Sequence, residues 1–77
     1  LREEEVFIRG DHIALDALLK WSGAVDTGGR AKTLIQSGMV KVNGVVETRR
    51  SSKVSVGSVV DAGGLGVFRV CSEDSRK

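Results

Sequence analysis

Arg30, Lys32, Thr33, Gln36 and Lys41 are strung along TGGRAKTLIQSGMVKVNG, residues 27–44, with no carboxylate among them. Such side chains donate hydrogen bonds and, in three cases, carry positive charge. The chemistry they suit is the holding of an anion. Gly28 and Gly29 stand just before the run. Glycine has no Cβ, so a phosphate can approach that backbone closely. A helix starting there points unpaired N–H groups and its positive dipole end the same way. Arg30 follows at once, and a guanidinium can fork onto phosphate oxygens. The same two glycines could instead serve a tight turn.

Covalent or acid–base chemistry finds little support. His12 is the sole histidine and stands four residues before Asp16. On a helix those two would meet as a surface ion pair. No nucleophile or oxyanion hole lies near it in the sequence, so no catalytic residue is expected. Cys71 is the sole cysteine, which leaves no internal disulfide and no structural zinc set. Glu3, Glu4 and Glu5 crowd one end rather than face each other at a defined separation. Gly63-Gly64-Leu65-Gly66 does not precede a helix, so it reads as a hairpin turn and not as a dinucleotide loop. No metal or cofactor is expected.

The elements that must position the cationic run are short. The chain has 77 residues and is expected to form a single domain over 1–77. Val6-Phe7-Ile8 reads as a strand after a frayed start. Ile13 to Trp21 reads as a helix, with Leu15, Leu18, Leu19 and Ser22 on one stripe and Trp21 widening it into the core. Gly23 ends it. A second helix over Gly29 to Ser37 takes Thr27 as its N-cap. Ala31, Leu34 and Ile35 form its buried stripe, and Gly38 stops it. Val40 and Val42 alternate with Lys41, so the lysine faces outward. Asn43-Gly44 predicts a type I′ hairpin. Lys53–Val56, Val59–Ala62 and Gly66–Val70 complete the strands, and the last is expected to pair with Val6-Phe7-Ile8. The tail from Cys71 is expected to be loose. The fold class is α+β: two N-terminal helices on a small curled antiparallel sheet.

Charge is uneven. Thr27 to Val60 holds six bases and one acid, Glu47, while the rest of the chain holds six bases and nine acids. A basic middle in a chain of net charge +2 is the pattern of a phosphate-binding face. The spacing predicts an L-shaped corner at Gly38, where Arg30, Thr33 and Gln36 on the helix meet Lys41 and Asn43 on the next hairpin. Arg49, Arg50 and Lys53 would extend it on the sheet side. No run reaches the roughly 18 apolar residues of a membrane span, and no signal peptide is visible. A cytoplasmic setting is expected; the chain opens on Leu1, which leaves an organellar one open.

The stretch LLKWSGAVDTGGRAKTLIQSGMVKVNGVVETRRSSKVSVGSVV resembles the RNA-binding domain named after ribosomal small-subunit protein four, the alpha-L motif. The likeness runs from Ile13 to Asp61. Its marks are the leucine helix, Gly-Arg-Ala at a helix start, Ile-x-x-Gly-x-Val-x-Val-Asn-Gly, and Val-x-x-Gly. Thr-Gly-Gly-x-Ala-Lys followed by Glu-Thr-Arg-Arg is closer still to the short stand-alone bacterial members. The resemblance implies structured RNA as partner, held mainly through its backbone by the second helix and the strand after it; the expected function is that of a non-enzymatic module on ribosomal RNA, and nothing in the sequence demands more than a monomer. By position the resemblance gives the RNA-holding role to Gly28, Gly29, Arg30, Lys32, Thr33, Gln36, Lys41 and Asn43, and in the stand-alone subgroup to Arg49, Arg50 and Lys53. Ala14, Gly29, Ser51-Ser52 and Ser58 depart from common family residues. With Trp21 read as core, no exposed ring is expected to stack bases. The alternative partner is an acidic protein surface on a ribosome-associated factor.

Overall fold

The computed structural model describes residues 3–76. Seven strands and two α-helices follow in the order β1 (Glu3–Ile8), β2 (His12–Ala14), α1 (Leu15–Trp21), α2 (Gly28–Gln36), β3 (Lys41–Val42), β4 (Val45–Val46), β5 (Lys53–Ser55), β6 (Val59–Asp61) and β7 (Val67–Ser72). Short 3-10 turns occupy Gly63–Leu65 and Glu73–Arg76. The main sheet runs β1-β7-β6-β3-β4, and β2 pairs with β5 in a second, two-stranded sheet. The class is α+β, as the sequence suggests.

The main sheet is mixed rather than wholly antiparallel. β1 lies parallel to β7, with Val6 opposite Val70 and Ile8 opposite Ser72, while the other pairs are antiparallel. This pairing corrects two expectations about the ends. Glu3–Glu5 are part of β1, and the segment after Val70 stays in register through Ser72. Val6, Ile8, Phe68 and Val70 are buried along the joined strands, and that burial holds both ends to the body.

α1 is shorter than its apolar spacing predicts. Ile13 belongs to β2 and sits opposite Val54 of β5. A β-branched residue facing a buried valine favours the strand. The helix then begins at Leu15 with Ala14 as N-cap and no side-chain cap. Its orphan donors go elsewhere: Leu15 N–H donates to Ser52 O at 2.9 Å and Asp16 N–H to Arg50 O at 3.0 Å. The backbone of a remote loop thus does what a Ser or Asp would do locally. α2 starts in the ordinary way. Thr27 Oγ1 accepts the Arg30 N–H at 3.1 Å.

Leu15, Leu18 and Leu19 of α1 and Ala31 and Ile35 of α2 meet Val40, Val54, Val60, Ala62, Phe68 and Val70 in one core. Each large apolar side chain sealed there contributes about 1.5–3 kcal/mol relative to exposure. Trp21 is not among them. It is 66% exposed, and its indole Nε1 donates to Phe7 O at 3.1 Å. The last residue of a seven-residue helix reaches past the core and ties its ring edge to β1 instead.

Candidate functional site

Gly28 and Gly29 form the exposed first turn of α2. Neither has a positive φ. A Cβ at Gly28 would meet nothing within 4 Å, and one at Gly29 only Thr27 Oγ1 at 4.0 Å. A tight turn or close internal packing therefore does not account for these glycines. They leave a bare helix start facing outward, at a cost in helix propensity of up to about 1 kcal/mol each.

The exposed side of α2 is wide. Ala31 and Ile35 face the core and Thr33 points away from it; Arg30 and Ser37 flank Thr33 on one side, Gly29, Gln36 and Lys32 on the other. Gly29, Arg30 and Thr33 line an open groove with Val25, Leu34 and Leu65. Lys32 and Gln36 are exposed but lie outside it. Arg30 is not alone there. Its Nε stands 3.2 Å from Asp26 Oδ1, with both side chains about three-quarters exposed. A pair so open to water is weak and exchangeable.

Beyond Gly38 the chain enters β3. Lys41 is exposed and stands opposite Val46 on one side and Asp61 on the other. Asp26 and Asp61 thus bring carboxylates to a segment whose own sequence between Thr27 and Val60 has only Glu47. Asn43 and Gly44 take φ 52° and 84°, both positive as a type I′ turn requires. The Asn43 amide is engaged within the protein: Nδ2 donates to Ser58 Oγ at 3.3 Å, and Oδ1 accepts the Val59 N–H at 2.9 Å.

Glu47 organises the arginine loop. Its N–H donates to Val40 O at 3.0 Å. Its carboxylate accepts the Arg49 N–H at 2.9 Å and the Ser52 hydroxyl at 3.2 Å. These hydrogen bonds, the Arg49 N–H first, hold the carboxyl below its ordinary 4.5. Through its N–H, Glu47 is tied to Val40 just before β3, while the Arg50 carbonyl accepts the Asp16 N–H at the start of α1. Arg50 reaches Asp16 Oδ2 at 3.6 Å. His12 is not Asp16's partner. It lies in β2, and its Nδ1 is 2.7 Å from Asp11 Oδ1. Lys53 is exposed and stands opposite Ala14 in the β2–β5 pair.

The candidate residues lie in three places: the α2 start with its groove, β3 with the arginine loop after β4, and Lys53 on the small sheet. One groove does not hold them all. The sequence pattern assigns no site role to Asp26 or Leu65, and it places in the core Trp21, which is exposed. Asp26 sits four residues before Arg30, the helical ion-pair spacing, and was legible in principle. Leu65 reaches the groove only through the return of the chain after β6.

A short α1–α2 pair, a β3–β4 hairpin with Asn-Gly at its tip, and a strand closing the ends define a recognised class. The S4 domain family model matches residues 6–70, and the chain belongs to that family. It is 43% identical over 56 residues to the Escherichia coli (strain K12) protein named "Putative RNA-binding protein YbcJ", covering 73% of this chain and 80% of that one. It is 35% identical over 65 residues to the Bacillus subtilis (strain 168) protein named "Probable ribosome maturation protein RlbA", covering 84% and 92%.

Proposed function

We propose that this protein is a non-enzymatic RNA-binding module that grips structured RNA, above all ribosomal RNA, through its phosphates. The carrying observation is the bare helix start. Gly28 and Gly29 are exposed, lack positive φ and have no internal neighbour that needs them, while Arg30 stands next in line. Close approach by an external anion explains them; packing does not. Lys32, Thr33, Gln36, Lys41, Arg49, Arg50 and Lys53 are exposed and supply further phosphate contacts. Asn43 serves by shaping the hairpin.

Relatives named for RNA binding and for ribosome maturation favour ribosomal RNA or an assembly intermediate as the target. The protein acts as a monomer in this reading. Capture from a lysate of its own source tests it. Nuclease treatment should release the partners, with ribosomal RNA fragments recovered after crosslinking. Retention of a protein partner after complete nuclease digestion would instead support an acidic protein surface as the ligand.

A further inference from the structure

We infer that the groove beside α2 receives the base of an unpaired nucleotide whose own phosphate sits at the start of that helix. This rests on the RNA-binding reading above and names the RNA feature that the site selects. The groove is open to solvent and offers about 750 Å³, within the roughly 300–1,000 Å³ typical of small-ligand sites. Its walls are of two kinds. Gly29, Arg30 and Thr33 offer polar groups on the helix side. Val25, Leu34 and Leu65 offer an apolar floor.

The apolar floor is what a phosphate grip alone does not explain. Leu65 is 40% exposed. The turn that carries it has Gly63 at φ 62° and Gly66 at φ 132°, so the backbone is bent in a way few other residues allow. Gly63 N–H donates to Asp61 Oδ1 at 2.9 Å, which braces the turn.

Charge decides which part of an RNA enters. Asp26, which also lines the groove, lies 3.2 Å from Arg30. Its carboxylate opposes a continuous run of phosphates along the groove. One phosphate can take the Arg30 and Gly28–Gly29 side, while the neutral base lies over the leucines. Bases inside an RNA duplex are stacked and unreachable from its deep major groove, so the base must be unpaired, as in a bulge or loop.

Three RNA hairpins test this: one fully paired, one with a single bulged nucleotide, and one with an abasic residue at the bulge. Fluorescence anisotropy at fixed salt should give the bulged hairpin roughly fivefold tighter binding than the other two. Leu65→Ala should bring it down to the level of the paired hairpin without changing paired-hairpin affinity or salt dependence. Equal binding of all three RNAs by the unaltered protein overturns the inference alone, as does a bulge preference that survives Leu65→Ala. Failure to bind any of them overturns the RNA-binding reading as well.

Discussion

Asn43 takes both backbone polar groups of Val59: its N–H donates to Val59 O at 2.8 Å, and its side-chain Oδ1 accepts the Val59 N–H at 2.9 Å. The hairpin tip is thereby bolted to the start of β6. Asn43 also holds φ 52°, where alanine is strained by roughly 1–2 kcal/mol. Asn43→Ala should destabilise the protein by about 2 kcal/mol in denaturant titration, from lost hydrogen bonds and strain together. RNA affinity of the folded fraction should change little. A large affinity loss with unchanged stability would mean the amide leaves Val59 to contact RNA.

The start of α2 makes two opposite predictions. Thr27→Ala removes the acceptor for the Arg30 N–H and should cost about 1 kcal/mol, lowering the Tm by roughly 4–8 °C. Gly28→Ala meets no neighbour within 4 Å and should raise stability by up to about 1 kcal/mol, while weakening RNA binding by crowding the phosphate. Parallel melting and binding curves separate the two effects. A stabilised variant with undiminished affinity would remove the glycines from the interface.

Much of this region was legible because its signals are local. Thr27, Gly38 and Asn43-Gly44 act on their immediate neighbours, and the structure places a cap, a helix stop and a type I′ turn there. The misreadings share a different cause. α1 begins at Leu15 because Ser52 and Arg50 carbonyls cap it from across the fold, which no window around Ala14 reveals. His12 needed a helix to face Asp16 and lies in a strand instead. Trp21 fits an apolar stripe by spacing, but its indole N–H has a partner at Phe7 O on the edge of β1. Leu65 reaches the α2 groove only once β6 and β7 have set the chain's return.

The arginine loop should be sensitive to acid. Hydrogen bonds from the Arg49 N–H, the Ser52 hydroxyl and the Thr48 N–H lower the Glu47 pKa from 4.5. A carboxyl depressed on folding stabilises the folded state above its unfolded pKa, and that stabilisation is lost as pH falls through the folded value. The loop should therefore loosen below about pH 4.5. Amide exchange at Arg49 and Ser52, read by NMR, should accelerate there. Glu47→Gln should show fast exchange already at neutral pH; slow exchange in that variant would show that something else holds the loop.

In the proposed reading, Asp26, paired with Arg30 at 3.2 Å, competes with phosphate for that guanidinium. Removing its charge by Asp26→Asn frees the guanidinium and should tighten binding to a fully paired RNA about two- to fivefold at low salt, in line with the worth of an exposed ion pair. The gain should vanish in an Arg30→Ala background. A gain that persists there would assign the effect to general repulsion by the carboxylate.

The most direct measurement of the phosphate grip is the salt dependence of binding to a structured RNA. If about four to six phosphates are neutralised, log K should fall against log[salt] with a slope of roughly −3 to −5, and Arg30→Ala and Lys41→Ala should each flatten it by close to 1 across unrelated RNAs. A slope near zero, or losses confined to one RNA sequence, would contradict the account.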